Sequence, residues 1–191
     1  IVYDVIPVFY EEIEESLALI FGDEARQVKV PELLHFGSGG GGDMDGLPDV
    51  HAKTIRESCA RHHALIVNRY FLEALRLAEK LSQSERRTPN IPQPLRDRIE
   101  HYKSVVPAAR ASAPSGHDEM PYRVLLGQIA ERLRATYDHR SGQYERVEQL
   151  TEDLQIIVSS LEANRGRYAG LFLIRRFLRR VRTFGLHLAT L

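Results

Sequence analysis

One cysteine, Cys59, and no tryptophan occur in 191 residues. A lone thiol closes no internal disulfide and supplies no multi-cysteine zinc site, so the fold has to rest on an apolar core; the usage fits a reducing compartment. No run of about 18 apolar residues is present, which excludes a membrane-spanning helix of the usual kind. The first residues also lack the charged, apolar and small-residue succession of a signal peptide. An excess of charge of either sign is missing too: 26 Lys and Arg balance 26 Asp and Glu. Such a chain has no global attraction for nucleic acid or for an anionic membrane, and any basic site has to be local. The expectation is a globular cytoplasmic chain with neither nucleic acid nor membrane as partner.

What is present is a core's worth of apolar residues, 43% of the chain, arranged mostly at helical spacing. Val8, Phe9, Ile13, Leu17 and Ile20 predict a first helix, with Pro7 in its first turn and Gly22 ending it. Val28 to Phe36 is β-prone around Pro31 and leads into the run Gly37 to Gly42, which reads as a strand followed by a loop. Asp49 is placed to cap a long helix marked by Ile55, Cys59, His62, Ile66, Tyr70, Leu75 and Leu81. Leu95, Ile99 and Tyr102 predict a shorter helix stopped by Pro107, and residues 108–120 a mobile loop. Pro121 opens a helix with Val124, Leu125, Ile129 and Leu133 on its buried side. Two more helices follow, over about 144–161 and 170–183, and the residues after Gly185 read as the start of a second strand. Two strands make no stable sheet alone. The chain opens at Ile1 and closes in an apolar run, so 1–191 is expected to be a single piece of a larger domain.

Among features that could carry chemistry, Phe36 to Val50 is the most informative. Glycines allow close approach of backbone to a ligand, and Asp43 and Asp45 could hold a divalent cation or orient cationic side chains; a flexible linker followed by a capping turn fits the same letters. The run has neither the Lys-Ser/Thr pair of a P-loop nor the ligand spacing of an EF-hand. Arg175, Arg176, Arg179, Arg180 and Arg182 lie beside the apolar stripe of the last helix, either as an anion or RNA surface or as a solvated, salt-bridged flank. The eight histidines show no metal-binding spacing, and Cys59 reads as a buried, inert thiol.

The run Gly37-Ser38-Gly39-Gly40-Gly41-Gly42-Asp43-Met44-Asp45-Gly46-Leu47-Pro48-Asp49-Val50 resembles the motif GSWxGGDRDGNPxV of the phosphoenolpyruvate carboxylases. Tyr3 to Pro7 is similar to the segment upstream of that motif, Thr54-Ile55-Arg56 to the TxxTR-like helix start, and Arg179 to Leu188 to the RRVxxFGxxL stretch entering the second barrel strand. The resemblance covers nearly the whole chain. It implies a mostly helical segment of an α/β (TIM-type) barrel enzyme that converts phosphoenolpyruvate and bicarbonate to oxaloacetate and phosphate with Mg or Mn, as a cytoplasmic homotetramer. By the same resemblance Ser38, Gly39, Gly41, Gly42, Asp43, Asp45 and Gly46 form the substrate loop, as architecture beside the active site. The motif's Trp falls on Gly39, its Arg on Met44 and its Asn on Leu47, so this loop is expected to be poorly preorganised. No His-Pro-Thr segment, no arginine-rich phosphate loop and no later barrel carboxylates are present. No catalytic or metal-ligating residue is therefore assigned, and the 191 residues alone are expected to be inactive and to need the remainder of the carboxylase chain. A non-catalytic helical scaffold or interaction module is the competing reading.

Overall fold

The computed structural model describes residues 1–37, 51–81, 91–111, 120–164 and 170–189. Among these, seven α-helices follow one another: α1 (Val2–Phe21), α2 (Ala52–Lys80), α3 (Gln93–Val105), α4 (Ala108–Ala111), α5 (Pro121–Tyr137), α6 (Val147–Ala163) and α7 (Leu171–Phe184), with a 3-10 turn at Gly22–Gln27. The most extensive packing is between α2 and α5. Leu125, Leu126, Ile129 and Leu133 of α5 are inaccessible to solvent, as are Ile66, Val67, Tyr70 and Ala74 of α2. Alanines at 74, 78 and 130 keep the facing ridges low and let the two helices approach closely. Each fully buried leucine contributes about 1.5–3 kcal/mol relative to an exposed one. α3, α4 and α6 pack on α5, and α7 lies against α1, α2 and α6. The stripe Leu171, Ile174, Phe177, Leu178, Val181 buries one side of α7 and leaves its arginines on the flanks.

The mostly helical expectation holds, and α2, α3, α5, α6 and α7 start and stop close to where spacing and punctuation put them. α1 is a correction. It starts at Val2, with Pro7 inside it. Proline has no N–H, so the carbonyl of Tyr3 loses its helical donor; Arg180 Nε donates to that oxygen instead, at 2.9 Å. The buried side is Ile6 and Tyr10, with Ile13 and Leu17 packed against it, whereas Val8, Phe9 and Ile20 are exposed. Leu75 of α2 is also exposed, and Cys59 is only half-buried.

Neither expected strand forms among the described residues. After the 3-10 turn the chain runs irregularly to an isolated bridge residue at Gly37. Its amides are met by a side chain rather than a neighbouring strand: Leu33 and Leu34 N–H donate to Tyr10 Oη at 2.7 and 3.3 Å. Residues 185–189 are turns and bends, and side chains of α2 take their carbonyls. Tyr70 Oη donates to Gly185 O at 2.9 Å, and His63 Nδ1–H donates to Leu186 O at 2.9 Å. A β-prone segment becomes a strand only where a backbone partner is offered. The expected loop 108–120 opens with α4 and ends where α5 begins, while 112–119 lie outside the described residues. So does Asp49, the expected cap of α2; His51 precedes that helix with extended backbone.

Two glycines behave oppositely under substitution. Gly142 sits at φ +86°, and a Cβ there would lie 2.8 Å from Val105 O, so Gly142→Ala is expected to cost roughly 1–3 kcal/mol. Gly127, inside α5, has open space where a Cβ would go; Gly127→Ala is expected to stabilise by about 0.4–1 kcal/mol. Urea unfolding of the two variants checks both signs.

Candidate functional site

Ser38, Gly39, Gly41, Gly42, Asp43, Asp45 and Gly46 lie outside the described residues. The structure places the two ends of their loop, Phe36-Gly37 and His51. The Phe36 ring stacks on Phe184 at 5.2 Å, and Tyr3 stacks on the same ring at 5.9 Å. Tyr70 meets Phe177 edge-on at 5.7 Å and, through its hydroxyl, holds the backbone where α7 stops. Four separate segments thus meet in one aromatic platform: the start of α1, the residues entering the glycine run, the middle of α2 and the end of α7. The stretches read as strands, around 36 and after 185, come near each other through the Phe36–Phe184 contact, and neither forms a strand among the described residues.

Beneath the platform lies an ionic cluster. Glu73, largely buried, accepts from Tyr3 Oη and from Arg180 Nη1, and the Arg180 guanidinium lies 4.8 Å from the centre of the Tyr3 ring. Burial raises the Glu73 carboxyl above its ordinary range, against the pull of Tyr3 and Arg180. Burial, reinforced by the Glu73 charge, pushes the Tyr3 phenol far up. Tyr3 therefore stays protonated and donates to Glu73, which suits fixing the start of α1 to α2 and α7 rather than proton transfer.

The remaining arginines of α7 have partners as well. Arg175 pairs with Glu162 at 2.7 Å, Arg176 with Glu11 at 2.5 Å and Arg179 with Glu14 at 2.9 Å, while Arg182 donates to Gln155 at 3.1 Å. The flank reads as salt-bridged, tying α7 to α1 and α6. These carboxylates occupy the charge that a polyanion would have to use.

A second polar cluster was not singled out by the sequence reading. Asp153, fully buried on α6, accepts from Tyr102 Oη at 2.7 Å and Tyr144 Oη at 2.6 Å, and from Arg98 Nη1. Arg132 donates to Tyr102 Oη at 2.6 Å and to the carbonyls of Gly142 and Gln143 at 3.0 Å. Burial raises the Asp153 carboxyl, opposed by both tyrosines and both arginines. A 600 Å³ cavity lined by Arg98, His101, Tyr102 and Arg132 opens beside it. Because both Asp153 oxygens are already engaged, the cluster joins α3, α5 and α6 rather than offering a free base. The signal was a carboxylate standing among Leu150, Leu154 and Ile157 on an apolar face.

Three histidine rings group at one place. His63 lies 5.7 Å from His139 and 5.5 Å from His187. Among the described residues, however, no three His, Cys, Asp or Glu side chains are arranged to hold a metal ion. Partial burial, then the neighbouring His63 and His62, holds His187 below the ordinary imidazole range. With the folded value lowered, the unfolded chain takes up the proton first. Stability from neutral His187 is thus complete above about pH 6.5 and is lost as pH falls toward the folded value. His187→Gln is expected to flatten Tm against pH over that window, by an amount kept small by solvent and salt screening of an exposed ring; a thermal melt series at low and high salt checks it.

A helical body that anchors the entrance to a glycine- and aspartate-rich run on an aromatic platform is in keeping with a segment of a larger enzyme. The family model for phosphoenolpyruvate carboxylase matches residues 1–191. Phosphoenolpyruvate carboxylases of Xanthomonas oryzae pv. oryzae and Xanthomonas campestris pv. campestris are each 41% identical over 191 residues, covering 100% of this chain and 21% of theirs. That of Roseiflexus castenholzii is 29% identical over 204 residues, covering 99% of this chain and 21% of its own. The chain belongs to the phosphoenolpyruvate carboxylase family. It spans about one fifth of the length of the curated relatives it matches.

Proposed function

We propose that these residues are the part of a phosphoenolpyruvate carboxylase that carries its glycine-rich substrate loop, in an enzyme forming oxaloacetate and phosphate from phosphoenolpyruvate and bicarbonate. The observation that carries this is the family match over all 191 residues, at 41% identity to relatives of that name. In this reading Ser38 to Gly46 shape the loop, and the Tyr3, Phe36 and Phe184 rings over Glu73 and Arg180 hold its base. The helices form part of an α/β barrel enzyme, a cytoplasmic homotetramer, whose catalytic residues come from the remainder of the chain. A divalent metal, Mg or Mn, would stabilise enolate and phosphate oxygens in such an enzyme. No group of described residues is arranged to hold one, and Asp43 and Asp45 lie outside them.

The test is oxaloacetate formation by the full-length protein with phosphoenolpyruvate, bicarbonate and either metal, coupled to NADH oxidation by malate dehydrogenase. The full chain is expected to turn over and residues 1–191 alone to show none. A folded full-length protein without turnover would sink the carboxylase reading and favour the helical-scaffold one, to which Gly39, Met44 and Leu47 in place of the motif's Trp, Arg and Asn point.

A further inference from the structure

α1 is apolar over more of its circumference than the core covers. At 3.6 residues per turn, Ile6, Tyr10, Ile13 and Leu17 face the core, while Val2, Ile20, Phe9, Val5, Leu19 and Val8 continue the apolar arc from the edge of that side around one flank, interrupted only by Glu12 and Ser16. All six are exposed, Leu19 at 87% and Ile20 at 72%. A surface helix presents an apolar stripe about as wide as its contact with the core, and an apolar arc that runs well beyond that contact marks a second covered flank. We infer that this outer stripe of α1 is an internal interface, covered in the whole carboxylase by the part of the same polypeptide that lies outside these residues.

Two observations choose that occupant over a second copy of the chain. The relatives that contain this segment are about five times longer, since it fills 21% of each, so most of the polypeptide is available to cover it. The charges of α1 also disfavour self-pairing: Asp4, Glu11, Glu12, Glu14 and Glu15 are its only charged side chains. An antiparallel two-fold contact of the stripe with itself brings acidic edge to acidic edge, and either two-fold arrangement buries Glu12, which lies within the stripe, against its own copy. Glu11 and Glu14 are already taken by Arg176 and Arg179, leaving Asp4, Glu12 and Glu15 beside the stripe. The covering segment is therefore apolar with lysine or arginine at its border.

The inference rests on the carboxylase reading only for the existence of the longer chain. Its test is hydroxyl-radical footprinting of the unaltered full-length protein, with Val5, Phe9, Leu19 and Ile20 quantified by mass spectrometry in native buffer, in urea and across a dilution series followed by light scattering. Native protection of about tenfold or more over the unfolded rate, unchanged on dilution to the monomer, is the expected result. Native rates equal to those in urea, or protection lost as the oligomer dissociates, would each overturn it, the second by assigning the stripe to another copy. Oxaloacetate formation measured on the same sample separates the two proposals: protection without turnover keeps the interface and removes the activity, and turnover without protection does the reverse.

Discussion

Asp153→Ala is expected to be among the most destabilising single substitutions in this chain, by about 3–5 kcal/mol, because it strips a buried cluster of its one anion. Arg98 and Arg132 would then carry positive charge with no buried carboxylate between them, and the hydroxyls of Tyr102 and Tyr144 would lose the acceptor that both now use. The cluster is not a large net stabiliser. Desolvation raises the Asp153 carboxyl, so forming the ion already works against burial, and it persists because three side chains donate to it and the Arg132 guanidinium lies 4.0 Å away. Removing one partner differs from removing the group: Tyr144→Phe deletes one hydrogen bond and is expected to cost about 1–2 kcal/mol. Urea unfolding at neutral pH reads both, and a loss below that of Tyr144→Phe in the Asp153→Ala protein would show that the arginines find other acceptors. The pH sign is separate. A carboxyl raised in the fold binds its proton more tightly than in the unfolded chain, so its contribution falls as pH rises from about 3.9 through the folded value.

What could be read in the letters was the local part of the structure. Leu125, Ile129 and Leu133 announce α5 because their spacing is a property of consecutive residues, and Pro121 and Gly185 mark helix ends for equally local reasons. Val28 to Phe36 misled because a strand is defined by what lies beside it. Here the neighbour is the Tyr10 hydroxyl, which meets the amides of Leu33 and Leu34 without continuing a ladder. Pro7 misled in the same way. Its place inside α1 depends on Arg180, far along the chain, replacing the hydrogen bond that proline cannot make.

The candidate site divides along the same line. The glycine run was visible as a motif, and the family match supports the resemblance drawn from it. The platform that holds its entrance was not visible, since Tyr3, Phe36, Tyr70 and Phe184 are separated by much of the sequence and none has a partner at local spacing. Asp153 could have been found by a stricter rule: a carboxylate on the apolar side of a well-formed helix needs buried donors, and Arg98, Arg132, Tyr102 and Tyr144 are the kinds of residue that supply them.

Phe184→Ala tests the platform, and its effect is expected on both stability and activity. The ring is almost inaccessible to solvent and touches the rings of Tyr3 and Phe36. Its loss removes a buried aromatic volume at the junction of α1, α7 and the entrance to the glycine run, with an expected cost of about 3–5 kcal/mol. Phe184→Leu restores much of the volume but no stacking and should recover most of that loss, whereas Phe172→Ala, removing a half-exposed ring that meets only the Arg176 guanidinium among the aromatic contacts, should cost about 1 kcal/mol or less. On the proposed carboxylase function, the leucine variant of the full-length protein is the informative one. It is expected to fold and yet form oxaloacetate roughly tenfold or more slowly, because Phe36 leads directly into the loop and freeing its ring lets the loop's base shift by the small distances to which catalysis is sensitive. Full activity in a folded Phe184→Leu enzyme would mean that the loop is held from its His51 end or by parts of the chain beyond these residues, and that the platform serves the stability of the helical body alone.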